Sequence, residues 1–542
     1  MSPSVQGTWR VNLLFGVLAL ALPVLGARVF LIVRDHGPRA EAIALRQQRR
    51  VIPTAGRPGG IYGRTRVSHV LLAGSRPADS CFIDPALLEE AEIDDLSARV
   101  GAALRTESDR VREAIRERRD TRFTWIKRFL AAEEAEAIRR IDHPAVGLVE
   151  EWRRYYPSPE LASTVVGFRR IDGVPGGGLE VALNEDLRAS DGRRVVLADP
   201  RRRPLIALPD LSEAGSNGRN VYLCLDTTIQ GFLEEALSES LAKYEDPGRT
   251  WAAGVVMDPH TGEVLAMGSL PKADRRADGG DLDGWTNRAV SLPFEPGSVM
   301  KPIFAAAAVD AGIIDYDTEI FCERGVWHVP RGGRIRDHGE RHEDLTVEDI
   351  VVHSSNIGMG KIGLMLGNRA LHNVAVGFGL GRRTGVELPG EDAGIIRDLH
   401  KWNTYSTPRV PFGQEMSVTA IQLATAFSGL VNGGELLRPR IVDQVREPDG
   451  RVLHRGRRDV VRRVLRPDTS TRTRLVLQQV VERGTGRNCR LSRWSSFGKT
   501  GTAQVPGRGG YEDGAYTATF AGGAPVGRPR VLCVISVFRP DQ

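Results

Sequence analysis

At 542 residues the chain is long enough for more than one domain, and its 41% apolar content is ordinary for a protein that buries cores. A net charge of +6 and a pI near 9.2 suit a mildly basic protein beside an anionic surface, but no basic run is interleaved with aromatics, so no nucleic-acid partner is expected. Cys81, Cys224, Cys322, Cys489 and Cys533 are scattered, odd in number and without C-x-x-C spacing, which reads as mostly free thiols rather than a disulfide framework.

Val11 to Ala27 is uncharged and mostly apolar; Arg28 interrupts it, and the run resumes as Val29-Phe30-Leu31-Ile32-Val33. With Arg28 snorkelling, residues 1–35 make a short tail and a membrane-spanning helix. A cleavable signal is the competing reading, with Val24-Leu25-Gly26 as its cleavage site. The arginines mostly follow this segment (Arg34, Arg39, Arg46, Arg49, Arg50) and only Arg10 precedes it, opposite to the usual charge rule for an exported domain. That rule weakens for long translocated domains, and the chemistry below sets the expected placement: short tail inside, bulk outside.

Residues 36–215 read as a second, non-catalytic region. Ala86 to Ile141 is charge-rich with helical apolar spacing, and Ser163-Thr164-Val165-Val166-Gly167-Phe168 is strand-like. Pro175-Gly176-Gly177-Gly178 has neither a G-K-[ST] sequel nor an apolar strand before it, so it is no phosphate loop. A polar link, Ser212 to Gly218, closes the region, which suits a spacer or docking domain.

From Val221 the pattern changes. Val221–Leu225 reads as a strand, Thr227–Leu241 as an amphipathic helix, and Ala253–Asp258 with Val264–Met267 as a hairpin around His260-Thr261-Gly262. A helical middle follows, then strands around Lys499 and over Val531–Phe538, giving one mixed α/β domain over 216–542 with a sheet built from both ends. The almost unbroken apolar run Val531–Phe538 predicts a strand covered on both faces.

The helical middle contains Glu295-Pro296-Gly297-Ser298-Val299-Met300-Lys301-Pro302 before an Ala-rich apolar run. Proline is tolerated only in a first turn, so Pro302 marks where the helix begins, with Ser298 at its N-terminus and Lys301 one turn on. A neutral lysine can take a serine proton, and burial or a second cation would depress its pKa. Ser354-Ser355-Asn356 and Lys499-Thr500-Gly501 complete the order S-x-x-K, S-x-N, K-T-G. Lysine usage agrees: only seven of the 74 basic residues are lysine, and Lys301 and Lys499 are two of them. His338-Gly339-Glu340-Arg341-His342, with Glu343 and Asp344, invites a zinc reading, but Gly339 and its polar neighbours suggest a solvated loop; no metal or cofactor is expected.

With these motifs the chain resembles a class B penicillin-binding protein, a monofunctional peptidoglycan D,D-transpeptidase, and is most similar to the septal type. Further matching stretches are Asp258 with Thr261–Met267, Asn287–Val290, Phe412-Gly413-Gln414, Asn432-Gly433-Gly434 and Gly484-Thr485-Gly486, and upstream Arg154–Pro157 and Gly177–Glu180. The resemblance implies an antiparallel sheet with helices on its faces, of penicillin-binding transpeptidase and β-lactamase type, after an elongated N-terminal pedestal or dimerisation domain over 36–215. It implies Ser298 as acylated nucleophile, Lys301 as base, Ser354 as proton relay, Asn356 as holder of the substrate amide, and Lys499 as the charge that depresses Lys301. Thr500, Gly501 and Thr502 would bind substrate, the two threonines holding the carboxylate of a D-alanyl-D-alanine stem peptide. The N–H groups of Ser298 and Thr502 would form the oxyanion hole. Implied partners are the stem peptide, penicillin, a lipid-II polymerase and other division or elongation proteins, at the cytoplasmic membrane with the catalytic domain outside.

Two departures stand out. Arg57-Pro58-Gly59-Gly60-Ile61-Tyr62-Gly63-Arg64 lacks the Asp of the family's membrane-proximal turn, and Val531–Phe538 is followed by only four residues where a covering helix is usual. Two other readings stay open: a hydrolase on the same scaffold, against which Glu387–Asp392 lacks a Glu-x-x-x-Asn pattern, and a non-catalytic membrane scaffold or β-lactam sensor.

Overall fold

The computed structural model describes residues 8–198, 204–244, 250–272, 282–330, 333–338, 341–507 and 510–539. They form two compact units, one of residues 1–56 with 189–217, the other of 57–188 with 218–542.

In the first unit a single helix, Thr8–Gln48, outlasts the apolar run that predicted it. Its segment Trp9–Gly37 has a mean hydropathy of 2.3 and is long and apolar enough to cross a membrane. The chain then passes into a three-stranded sheet ordered Arg49–Thr54, Gly192–Ala198, Pro204–Ala207.

In the second unit, residues 69–155 carry a core of their own. Helices Ile93–Leu104, Ser108–Glu117 and Ala132–Arg139 bury Leu96, Val100, Val111, Ile115 and Ile138 against Cys81 and Ile83 of the strand His69–Ile83. Helical spacing across Ala86–Ile141 held, apart from a short strand at Thr124–Lys127. Ser163–Val166, expected as strand, is a short helix with all four residues buried. Packing against the neighbouring short helix Gly178–Ala182 and the strand Val264–Leu270 overrides the β preference of Thr164, Val165 and Val166. Below it Glu180 is fully buried and gripped by two arginines: Arg154 Nε donates to Oε1 at 2.6 Å and Arg169 Nε to Oε2 at 2.5 Å.

Asn220–Asp226 is the strand expected at Val221–Leu225, but it lies outside the catalytic sheet. It pairs in parallel with Ile61–Arg64 and antiparallel with Val442–Arg446, in a seven-stranded sheet that also includes His69–Ile83. Its partners are far away in sequence, so its own residues could not identify them.

The catalytic sheet has five antiparallel strands in the order Val264–Leu270, Trp251–Met257, Val531–Phe538, Gly510–Ala524, Phe497–Gly507, built from both ends of the segment as expected. The sheet packs on helices Pro467–Glu482 and Ala420–Val431, every residue of the latter being buried. Thr419 and Gln422 close that helix's first turn with a reciprocal capping box. Val531–Phe538 is only partly covered on both faces: Leu532 and Val534 are buried, whereas Cys533, Ile535 and Val537 are half-buried. That outer face is covered in part by Thr227–Leu241, whose Leu233 and Leu237 share a cluster with those half-buried side chains.

Candidate active site

Gly297–Met300 forms one 3-10 turn and Lys301–Asp310 continues as α-helix with Pro302 in its first turn, so Ser298 sits where the proline placed it. Gly297 has a φ of +59°, and a Cβ there would come within 3.1 Å of Ala503. A Cβ on Gly501 would meet the Pro296 carbonyl oxygen at 2.9 Å, so paired glycines let the strand Phe497–Gly507 lie directly on the serine turn. The turn is also tied to a third segment: Gly297 N–H donates to the Gly413 carbonyl at 3.2 Å, and Glu415 N–H to Glu295 Oε1 at 3.1 Å.

Lys301 and Lys499 are both fully buried. Lys301 Nζ donates to the Ser354 carbonyl, to Ser354 Oγ at 3.1 Å and to Asn356 Oδ1 at 2.8 Å. Lys499 Nζ donates to Ser354 Oγ at 3.0 Å, to the Thr500 carbonyl at 3.0 Å and to Thr485 Oγ1 at 3.4 Å. One hydroxyl therefore stands between two ammonium groups. Burial first, then the charge of Lys499, pushes Lys301 well below the ordinary lysine pKa, with the negative charge of Asp337 working the other way. Burial lowers Lys499 to about 7.

Of the three Lys301 partners, only the Ser354 hydroxyl can also donate. When Lys301 is neutral, that bond can reverse without moving a heavy atom. Ser354 holds a φ of +62°, which costs a non-glycine residue roughly 1–2 kcal/mol. The strained backbone presents both its carbonyl and its hydroxyl to Lys301. Ser355 turns the other way and caps the helix Asn356–Gly377 by accepting from Gly358 N–H at 3.0 Å.

All eight site residues expected from sequence come together. Ser298, Ser354, Asn356, Thr500, Gly501 and Thr502 line a cleft of about 520 Å³, and the two lysines bond to its floor through Ser354. Thr485, quoted in the sequence without a role, also lines the cleft and accepts from Thr500 Oγ1 at 2.8 Å. His338 lies at the same cleft, Gly339 and Glu340 fall outside the described residues, and among the described residues no cluster of three His, Cys, Asp or Glu is arranged to hold a metal. Asp337 and the partners of Glu295 gave no sequence signal. Glu295 accepts from Tyr511 Oη at 3.1 Å, and burial raises its pKa to about 7.

Residues 252–541 match the family described as the penicillin-binding protein transpeptidase domain, and residues 54–223 match the penicillin-binding protein dimerisation domain. The chain is 30% identical over 477 residues to the probable peptidoglycan D,D-transpeptidase PenA of Neisseria meningitidis, covering 87% of this chain and 78% of that protein. It is 27% identical over 551 residues to the peptidoglycan D,D-transpeptidase FtsI of Escherichia coli, covering 98% and 88%. Its fold matches a crystal structure of penicillin-binding protein 3 from Mycobacterium tuberculosis in complex with aztreonam, with a TM-score of 0.67, 27% identity and 91% of each chain covered.

Proposed function

The chain belongs to the class B penicillin-binding proteins, and from that premise we propose that it cross-links peptidoglycan stem peptides through an acyl-enzyme on Ser298, at the division septum. The observation that carries the reading is Lys301: fully buried, one turn from Ser298, depressed in pKa and bonded to a hydroxyl shared with a second lysine.

A depressed pKa leaves Lys301 neutral often enough to accept the Ser298 proton. Ser298 Oγ then attacks the carbonyl carbon of the penultimate D-alanine, and the N–H groups of Ser298 and Thr502 receive the oxyanion. Collapse breaks the C–N bond. The departing D-alanine amine takes a proton relayed from Lys301 through Ser354, whose Oγ contacts both lysines. An acceptor amine next attacks the ester carbonyl, gives its proton back along the same path and releases Ser298. Thr500 and Thr502 at the cleft hold the terminal carboxylate, and an arriving anion favours the charged form of the buried Lys499. A β-lactam enters the same first step, but its leaving amine stays tethered in the opened ring and the ester persists.

The hydrolase reading has less support. None of the described residues lining the cleft is a carboxylate that could activate water. Glu387 accepts from Ile441 N–H at 2.8 Å and Glu391 from Thr384 N–H at 2.6 Å, so both serve loop structure.

One apolar N-terminal helix fits a single-pass anchor in the cytoplasmic membrane. The substrate's location argues for the catalytic domain outside, and a membrane-bound lipid-II polymerase would supply fresh glycan strands as partner. A fluorescent penicillin applied to membranes carrying the full chain should label Ser298, and Ser298→Ala should abolish labelling while the protein stays folded. Label on Ser354 or Ser355, or label surviving in Ser298→Ala, would refute the assignment.

A further inference from the structure

Trp494 stands out from the surface. Among the described residues it is, apart from Trp9 of the apolar N-terminal helix, the one tryptophan that lies exposed, at 66%. An indole is a large apolar body to leave in water, so its exposure points to something that covers it. The loop around it is held rather than loose: Ser495 Oγ accepts from Val526 N–H at 3.1 Å, and Ser496 is buried.

Trp494, Arg490, Arg493, Ser492 and Glu482 line a surface pocket of about 270 Å³. One flat aromatic face ringed by hydroxyl, guanidinium and carboxylate groups suits a sugar. The C–H face of a pyranose stacks on the indole while its hydroxyl and amide groups bond to the rim. A lipid or an apolar helix would need a continuous apolar surface, and of the other lining side chains only Leu491 is both apolar and exposed.

The pocket's place beside the catalytic cleft says which sugar. Two separate segments run from one to the other. Glu482 lines the pocket and Thr485 the cleft; Ser496 lines the pocket and Thr500 the cleft. Such short pieces of chain reach at most about 11 and 14 Å. Thr500 Oγ1 donates to Thr485 Oγ1 at 2.8 Å, so both segments meet the cleft at one end, and the cleft continues from there along the strand Phe497–Gly507 to Gln504. At that end Thr500 and Thr502 hold the carboxylate of the departing D-alanine. The acceptor amine must take the place that the D-alanine amine vacates, so the rest of the acceptor enters from the side of the pocket.

We propose that the Trp494 pocket docks the glycan strand of the acceptor, a saccharide ring stacked on the indole, so that the amine of the attached peptide reaches the Ser298 ester. The inference rests on the cross-linking function proposed above. The pocket contributes binding alone. In the cleft the new C–N bond forms as the ester C–O bond breaks, and the amine proton returns through Ser354 and Lys301 to Ser298 Oγ.

The experiment uses the full-length chain with two probes. Peptide-free glycan strands are titrated for binding, and an acyl-D-alanyl thioester donor is offered with either glycan-linked stem peptide or free D-alanine as acceptor. Trp494→Ala should weaken glycan binding about 10-fold and raise KM for the glycan-linked acceptor about 10-fold, with kcat unchanged. Its acylation by penicillin, its transfer to free D-alanine and its melting temperature should match the native chain. Trp494→Phe should restore most of the loss, and Trp494→Gln replaces the alanine variant if that chain does not fold. Glycan binding that is equal in the native and variant chains, or absent from both, overturns the proposal. So does a variant slowed equally toward both acceptors, which would make Trp494 a support for the shape of the site. Glycan binding kept while a membrane protein is lost on co-purification would make the surface a protein interface instead. If the native chain transfers to neither amine, the cross-linking function fails, and the glycan titration still decides the dock.

Discussion

Arg154 and Arg169 close on a single carboxylate, whereas Lys301 and Lys499 close on a single hydroxyl. In the first cluster the side chains are 6%, 7% and 0% exposed, and Glu180 offers each guanidinium its own oxygen. One carboxylate bridges two guanidinium groups there, and guanidinium keeps its proton, so the cluster offers no base. In the second, two fully buried lysines share a neutral oxygen at the floor of a cleft, and the counter-charge that acts on Lys301, Asp337, is turned toward helix amides. The first arrangement is a fastener between Arg154–Pro157 and Gly177–Glu180. The second favours a lysine without its proton. Burial alone does not distinguish structure from chemistry; the sign of the partner does.

The sharpest way to break this comparison is Lys301→Arg. Arginine keeps the charge but cannot yield its proton near neutral pH. The acylation rate should fall about 1,000-fold, about 4 kcal/mol on the barrier, close to the loss for Lys301→Ala. An arginine variant that still acylates well would make Lys301 a fixed charge, and the two clusters would differ only in detail. Glu180→Gln comes next. It leaves two buried arginines without a counter-charge and should destabilise the protein by about 3 kcal/mol, seen as a lower melting temperature. The folded fraction should still label at the native rate; slower labelling would mean the fastener also shapes the site.

Glu295→Gln should have the smallest effect. Glu295 is half-buried with a tyrosine hydroxyl and an amide for partners, and its pKa of about 7 lies above the unfolded value of about 4.3. The folded state therefore holds this proton more tightly, so stability falls as pH rises from about 4 to about 7 and levels off beyond. Melting curves of Glu295→Gln should be flatter than native ones across that window. An unchanged slope would show that Glu295 is already ionised in the fold.

Much of the site was legible because its constraints are local. Pro302 sets where a helix starts, three residues separate Ser298 from Lys301, and a rare lysine in an arginine-rich chain stands out. Asp337 was illegible for the opposite reason. Its three partners lie 18 to 20 residues away, and an aspartate in a polar loop looks the same whether it caps a helix or faces water. Strand Asn220–Asp226 showed its conformation but not its sheet, since pairing with Ile61–Arg64 is decided by backbone groups that carry no sequence. Ser163–Val166 misled because β-branched side chains favour a strand until the core leaves room only for a turn of helix.

The order of the five-stranded sheet also governs how the molecule is assembled. Trp251–Met257 and Val264–Leu270 are neighbours in sequence and pair as a hairpin, but the next strand inward, Val531–Phe538, is the last of the five to be synthesised. Lys499 is joined to the hairpin only through Gly510–Ala524 and that late strand. Throughout synthesis the hairpin keeps an open edge, a hazard for misassociation and a source of slow folding from distant contacts. The serine turn waits too, because Gly501 must settle against Pro296 before the site exists. Until the sheet closes, Ser298 lacks the strand of Gly501 and Lys499 that completes its site.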